Sequence, residues 1–329
     1  MITINDIARM ADVSRTTVSR VLNNNGYASE QVRKRIMEVV EETGYMPSQS
    51  AKSLRTKKTG IIGVVLPKIS TETSSRVVAG INEVLARRGF QILLTDTELD
   101  VDKEIDYLRL LESRQVDGIV LLATNVRSAL VEAINNLSLP IVAIGQDIPG
   151  VDSFTYDNYQ ASEEVMQLLI DRGHQRIGFI GVHEEDPSVG GKRKQAYIDM
   201  LKRNGLLMKE EWMEEGDFSI DSGYYAMRNI LNTKSEEYPT ALFCVNDRMA
   251  VGAMEYLKEQ NFRVPEDMAV VGMGASELSK YVCPSLTTVD YYNEEVSSIA
   301  AEMLLAKVDN SSFEKKLAPA YRLILRDSV

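Results

Sequence analysis

The sequence INDIARMADVSRTTVSRVL, residues Ile4–Leu22, determines how this chain folds at its start. Its apolar residues recur at helical spacing, and the pattern is broken once, at residues 12–14. Thr3 is the expected N-cap of the first helix, with Asp6 in the capping-box position, and Ser14 is the expected cap of the second. The stretch therefore predicts two short helices joined by a tight turn.

A third helix is expected after Ser29, with Gly44 as its C-terminal stop. Its apolar face would consist of Val32, Ile36, Val39 and Val40. Three helices in about 45 residues make a minimal helix-turn-helix domain, which we assign to residues 1–46. Residues 47–60 have almost no apolar periodicity and carry four basic side chains, so we interpret them as a basic hinge or linker.

From residue 61 onward, short β-branched runs alternate with amphipathic stretches of helical periodicity. Continuous apolar strands separated by crossovers indicate parallel sheets covered on both faces. The runs begin at residues 61, 91, 118, 141, 177, 241 and 268. We predict an α/β fold with an N-terminal helix-turn-helix domain and two doubly wound parallel-sheet subdomains. Ligands of such sheets bind beyond the carboxyl ends of the strands, so one cleft between the subdomains is expected.

Charge and composition narrow the function further. The chain of 329 residues has a net charge of −11, but residues 1–60 carry ten Lys and Arg against six Asp and Glu. Local positive potential is what attracts phosphates, because charges are screened within about 10 Å at ordinary salt. There is no apolar run of membrane-spanning length, no signal-peptide pattern, and only two cysteines. We expect a cytoplasmic protein with a basic DNA-binding head and without a metal or cofactor.

The motif IxDIAxxAxVSxxTVSRVLN over residues 4–23 resembles the N-terminal signature of the lactose/galactose repressor (LacI/GalR) family. The resemblance continues through the chain in Gly44-Tyr45-x-Pro47, Val116-Asp117-Gly118-Ile119, Gly173-His174-x-x-Ile177, Asn246-Asp247-x-Met249-Ala250 and Pro284-x-Leu286-Thr287-Thr288. It implies subdomains of the periplasmic-binding-protein type, at about 61–156 with 288–316 and about 157–287 with 317–329. It also implies a dimer or tetramer on a near-palindromic operator, and we favour a homodimer because the tail that ends in Tyr321–Val329 has no long leucine heptad.

The resemblance places the second helix in the major groove of DNA. Arg15, Thr16 and Arg20 are then the expected readers of base edges, since an arginine can donate two parallel hydrogen bonds to guanine. The expected phosphate contacts are Thr17, Ser19 and Asn23. Without the resemblance, Arg15 and Arg20 could equally be solvated helix charges.

Ser50–Arg55 matches the hinge of that family, which implies a segment that contacts the minor groove. Leu54 stands where the family has a leucine that wedges between base pairs and kinks the duplex. Packing of Leu54 against the first helices is the alternative. The expected hinge contacts to DNA are Ser50, Lys52, Leu54 and Arg55.

The resemblance also implies a ligand cleft. The expected effector-binding residues are Lys68, Gln146, Tyr156, Arg193, Phe218, Asn246 and Asp247. Arg193 would hold hydroxyls or an anion, and its alternative is a solvated helix charge. Phe218 would be an aromatic platform, and Asp247 could instead cap the next helix.

The identity of the effector stays open between a neutral and a phosphorylated disaccharide. Many family members carry an Asp after the Val-Val-Gly strand, whereas this chain has Met273-Gly274. That loss, with the Gly-Lys-Arg-x-x-Ala-Tyr run at residues 191–197, resembles the trehalose-repressor branch. Lys68 and Arg193 could hold a phosphate, but Gln146 lies where a second cation would help.

A sequence-specific repressor of carbohydrate-utilisation genes, induced by its ligand through a population shift, is the function we expect. An enzyme is disfavoured because no dinucleotide, Walker, nucleophile-elbow or metal-ligand motif is present. The alternative is a global regulator controlled by a phosphocarrier protein or a purine-like corepressor.

Overall fold

The computed structural model describes residues 2–22, 26–45, 58–233, 237–314 and 320–329. These residues belong to two compact units, which divide between Gly60 and Ile61.

The first unit contains the three predicted helices: α1 (Ile4–Met10), α2 (Arg15–Leu22) and α3 (Glu30–Thr43). The capping box is confirmed, because Thr3 N donates to Asp6 Oδ2 at 3.0 Å and Asp6 N to Thr3 Oγ1 at 3.4 Å. Ser14 caps α2 through Thr17 N, and Gly44 ends α3 with φ 62°. The small core of the unit is built from Ile7, Ala8, Ala11, Val18, Val21, Ile36 and Val39.

The second unit begins with a five-stranded parallel sheet in the order β2-β1-β3-β4-β5. Its strands are β1 (Ile61–Leu66), β2 (Gln91–Asp96), β3 (Gly118–Leu122), β4 (Ile141–Ile144) and β5 (Asp152–Phe154). The helices between them are α4 (Glu72–Arg87), α5 (Val101–Ser113) and α6 (Ser128–Asn135). Apolar cores lie on both faces of this sheet, as its continuous apolar strands predict.

A second parallel sheet follows in the order β7-β6-β8-β9. Its strands are β6 (Ile177–Val182), β7 (Met213–Gly216), β8 (Ala241–Cys244) and β9 (Ala269–Val271). The associated helices are α7 (Asn158–Asp171), a π-helix (Pro187–Lys192), α8 (Arg193–Arg203), α9 (Ile220–Leu231), α10 (Asp247–Glu259) and α11 (Leu278–Tyr281). All seven predicted runs are strands, and the two-sheet α/β fold is confirmed.

The chain then returns to the first sheet. The strands β10 (Thr288–Asp290) and β11 (Arg322–Ile324) pair antiparallel, and α12 (Asn293–Val308) packs on α4. A Cβ at Gly80 of α4 would lie 2.2 Å from the Glu294 carbonyl oxygen, so only glycine permits this close approach. None of the helices formed by the described residues could span a membrane.

Candidate functional site

A cleft of about 820 Å³ lies beyond the carboxyl ends of the strands of both sheets. The first sheet contributes residues that follow β1, β3 and β4, and the second contributes residues that follow β6, β7, β8 and β9. The floor comes from the segments that connect the two sheets, through Tyr156, Asn158, Tyr291 and Asn293. The cleft therefore lies where doubly wound sheets bind ligands.

Six of the seven residues expected at the cleft line it: Lys68, Gln146, Tyr156, Arg193, Phe218 and Asn246. The structure does not bring Asp247 to the lining. Its buried carboxylate accepts hydrogen bonds from Ser276 N at 2.6 Å and from Thr288 Oγ1 at 2.5 Å. The cap of α10 is Asn246, whose Oδ1 accepts from Met249 N at 2.8 Å. Asp247 thus holds the loop after β9 and the strand β10 together.

Arg193 begins α8 and is only 7% exposed. Its Nε donates to Asn158 Oδ1 at 2.8 Å and its Nη1 donates to the carbonyl oxygen of Val245. The guanidinium also lies 5.2 Å from the centroid of the Tyr291 ring. This burial excludes a solvated helix charge, and the contacts hold the guanidinium rigidly at the cleft wall.

Among the described residues, three buried polar atoms of the floor have no hydrogen-bond partner: Tyr156 Oη, Asn158 Nδ2 and Asn293 Oδ1. A buried polar group without a partner costs about 1–3 kcal/mol, so native structures seldom retain several together. Burial also raises the pKa of the Tyr156 hydroxyl, which keeps it protonated as a donor. The floor thus offers donors and an acceptor to a polar ligand.

Phe218 and Lys68 form another part of the lining. Phe218 has φ 68°, and its carbonyl oxygen accepts from Asn246 Nδ2 at 3.2 Å. Lys68 Nζ donates to the Asp217 carbonyl oxygen at 3.0 Å and lies 3.6 Å from its carboxylate. Lys68 precedes α4 and Asp217 follows β7, so this pair joins the two sheets across the cleft.

Sequence reasoning missed Asn158, Asp186, Ser188, Tyr291 and Asn293, which also line the cleft. Asn158 and Asn293 each open a helix next to a strand, which is a weak positional signal that many capping residues share.

The expected DNA-reading residues lie on α2. Arg15, Thr16 and Arg20 are exposed, Thr17 and Ser19 are half-buried, and Val18 and Val21 face the core. The Thr17 hydroxyl is 2.8 Å from the Ser14 hydroxyl. The helix thus presents its two arginines to the outside. The remaining expected DNA contacts lie outside the described residues: Asn23, Ser50, Lys52, Leu54 and Arg55.

In the part of the chain that the structure describes, no group of His, Cys, Asp and Glu side chains is arranged to hold a metal ion. The described lining of the cleft offers hydrogen-bonding groups and aromatic rings to a ligand.

Comparison with known proteins gives two family matches. Residues 3–48 match the model described as "Bacterial regulatory proteins, lacI family", and residues 166–329 match "Periplasmic binding protein-like domain". Catabolite control protein A of Priestia megaterium is 32% identical over 99% of both chains. The HTH-type transcriptional repressor PurR of Aliivibrio salmonicida is 32% identical over 100% of this chain and 99% of its own.

Solved structures agree with these matches. The lac repressor dimer bound to operator and the anti-inducer ONPF superposes with a TM-score of 0.87 at 25% identity, covering 99% of this chain and 98% of that one. A complex of the transcriptional regulator CelR with cellobiose has a TM-score of 0.72 at 28% identity and full coverage of both chains.

Proposed function

This chain belongs to the lacI family of bacterial regulatory proteins and is a DNA-binding transcriptional repressor, not an enzyme, and from that premise we propose that a small carbohydrate bound in the cleft controls its affinity for an operator. The genes it represses would serve carbohydrate utilisation, and the ligand would act as an inducer.

The observation that carries this proposal is the cleft floor with its three unpartnered polar atoms, on Tyr156, Asn158 and Asn293. A hydroxyl both donates and accepts, so a polyhydroxylated ligand suits a floor that offers both donors and an acceptor. Phe218 and Tyr291 supply aromatic surface for the apolar face of a sugar ring. One structural relative, the transcriptional regulator CelR, is in complex with cellobiose, a carbohydrate, which supports this ligand class.

Control would follow from the bonds that join the two sheets across the cleft. Lys68 bonds to Asp217, and Arg127 Nη2 donates to Glu185 Oε1 at 2.5 Å. A ligand that binds one relative arrangement of the subdomains more tightly shifts the population toward it, by no more than its differential affinity. In this proposal the shift reaches DNA through the segment 47–60 of each protomer of a cytoplasmic homodimer.

On the DNA side, we propose that Arg15, Thr16 and Arg20 contact base edges of a near-palindromic operator. Their exposure on α2 supports this assignment, as does the excess of basic residues in the first 60. Thr17, Ser19 and Asn23 would contact phosphates, which position the protein without reading sequence. The residues of the hinge, including Leu54, would contact the minor groove.

The test is a thermal-melting panel of mono- and disaccharides, with hypoxanthine and guanine as non-carbohydrate probes. A ligand that binds only the folded state raises the melting temperature. At a hundredfold excess over Kd it adds about 2.7 kcal/mol to the free energy of unfolding. The rise with a carbohydrate should be lost in Arg193→Ala and kept in Arg203→Ala. Arg203 ends the same helix but lies on the surface, paired with Glu163. A rise with the purines alone would overturn the carbohydrate proposal.

A further inference from the structure

One hydrogen-bonded bridge crosses the cleft beside Arg193. Gln146, which follows β4 of the first sheet, donates from Nε2 to Asp186 Oδ1 at 2.7 Å. Its Oε1 accepts from Ser188 Oγ at 2.8 Å. Gln146 is 3% exposed, and both of its partners lie at the start of the π-helix that leads into α8. Through both its nitrogen and its oxygen, the Gln146 amide therefore joins this turn, which follows a strand of the second sheet, to the first sheet.

The Asp186 carboxylate is fixed in place from its own side as well. Oδ1 accepts from Ser188 N at 3.0 Å and from Val189 N at 2.9 Å, so the side chain caps the π-helix. The turn packs closely against the end of β6, because a Cβ at Gly190 would lie 2.2 Å from the carbonyl oxygen of His183. The Asp186 carboxylate thus has a fixed position on the cleft lining.

Few side chains of the cleft lining are charged. Among its described lining residues, only Lys68, Asp186 and Arg193 are ordinarily charged. Lys68 is paired with Asp217, and Arg193 lies close enough to Asp186 for the two charges to interact. Each of the two cations therefore already has a carboxylate partner or neighbour.

A phosphate group entering this cleft would lose its water and find no uncompensated positive charge. Desolvating an ion without a partner costs several kcal/mol, and the Asp186 carboxylate would add repulsion. The unsatisfied atoms of the floor, on Tyr156, Asn158 and Asn293, are all uncharged. Their hydrogen-bonding capacity is met by hydroxyls without any charge to neutralise.

We propose that Asp186 is the specificity-determining residue that makes this cleft select uncharged, hydroxyl-bearing ligands and exclude phosphorylated ones. The inference rests on the proposed ligand-binding function of the same cleft and narrows its ligand class. Gln146 is the positioning residue, since it holds the carboxylate on the lining.

The experiment measures the melting temperature of the full chain with about 10 mM of each probe, followed by the fluorescence of Trp212. Trp212 is the chain's only tryptophan and is fully buried in the core of the second sheet. The anionic probes are inorganic phosphate, glucose 6-phosphate and trehalose 6-phosphate, and the neutral probes are glucose, trehalose and cellobiose. The wild-type chain should not respond to any anionic probe.

Asp186→Asn should show a saturable rise of a few degrees in melting temperature with at least one anionic probe. The double variant Asp186→Asn/Arg193→Ala should lose this rise. Asparagine keeps the oxygen that caps the π-helix, and Asp186→Ser offers a second uncharged cap should the first variant fold poorly. Asp221→Asn, an exposed carboxylate on α9 away from the cleft lining, is the matched control and should stay unresponsive.

A wild-type rise with a sugar phosphate that Arg193→Ala abolishes would overturn the inference, as would Asp186 variants that stay unresponsive to every anion. Either result would leave the proposed repressor function in place, because DNA binding and its control by a carbohydrate do not depend on whether the cleft excludes phosphorylated ligands. That function fails separately, if the chain selects no DNA sequence.

Discussion

Arg76 Nη1 donates to the carbonyl oxygen of Gly274 at 3.0 Å and so ties helix α4 of the first sheet to the cleft wall that follows β9. The same guanidinium donates from Nε to both carboxylate oxygens of Glu294, at 2.7 and 2.8 Å, and lies 3.0 Å from Asp290 Oδ1. One side chain therefore joins the cleft wall, the strand β10 and the helix α12. If the cleft wall moves relative to the first sheet, these bonds must either break or move with it.

Arg76→Gln should lower the free energy of unfolding by about 3 kcal/mol, because it leaves the nearly buried Asp290 carboxylate without its main cation. Urea unfolding of the 61–329 unit measures this. Arg87→Gln is the control on the same helix, where the exposed pair with Glu83 should cost less than about 0.5 kcal/mol. Equal losses in the two variants would show that the Arg76 bonds contribute no more than a surface pair.

Glu104→Gln should raise stability at high pH and leave it nearly unchanged at pH 5. Burial raises the pKa of Glu104 to about 7 from 4.5, aided by the Asp186 carboxylate and opposed by the hydrogen bond from Asn125. Between these values the folded state holds a proton that the unfolded state has lost, so stability falls as pH rises. The loss is complete above pH 7 and amounts to about 3 kcal/mol.

Denaturant melts at pH 5, 6, 7 and 8 test this, with the exposed Glu132→Gln as control. A wild-type chain whose stability is level across that range, or a Glu104→Gln variant with the same slope as wild type, would contradict the assignment.

Tyr156→Phe should separate ligand binding from stability. The Tyr156 hydroxyl is buried and has no partner in the described part of the chain, so its removal should keep the free energy of unfolding or raise it by up to about 1 kcal/mol, while the response to the ligand falls. Tyr197→Phe is the matched control, because that hydroxyl donates to the carbonyl oxygen of Ile177 at 2.8 Å. It should cost about 1–2 kcal/mol and leave ligand binding intact. A destabilised Tyr156→Phe would show that the hydroxyl has a structural partner.

Arg15→Ala should weaken binding to the selected operator by about 1–3 kcal/mol and relax the preference at one base pair, since a bidentate contact to guanine has that worth. Lys34→Ala removes one positive charge from the exposed side of α3, where it pairs with Glu38. It should change affinity equally for all sequences, and fluorescence anisotropy on operator and scrambled duplexes distinguishes the two results. A uniform loss in Arg15→Ala would make it a phosphate contact.

Patterns of consecutive residues predict most of this fold. The runs at Ile61–Leu66 and Gly118–Leu122 are buried on both faces, and such strands are apolar throughout. The strands β5 and β7 escaped prediction because they lie at sheet edges, where one side is free and sequences such as Met-Glu-Glu-Gly suffice.

Only those site residues that follow strand ends or match the family resemblance were predictable from the sequence. Arg193 and Gln146 follow from these, but Asp186 owes its place to a bridge that joins residues 40 positions apart. Whether a polar atom such as Asn293 Oδ1 lacks a partner depends on every neighbour in space, and no local pattern encodes it. Asp247 adjoins the cleft in sequence, yet its bonds to Ser276 and Thr288 turn its carboxylate away from the lining.

In the proposed function, a ligand in the cleft sets the affinity of this chain for one DNA sequence. The most direct measurement selects bound duplexes from a random-sequence pool, then titrates the enriched duplex with and without the neutral carbohydrate that raises the melting temperature. We predict a near-palindromic sequence whose affinity falls at least about fivefold with the ligand, a change that Arg193→Ala abolishes. A selected operator bound equally with and without a saturating ligand would show that the ligand does not control DNA binding.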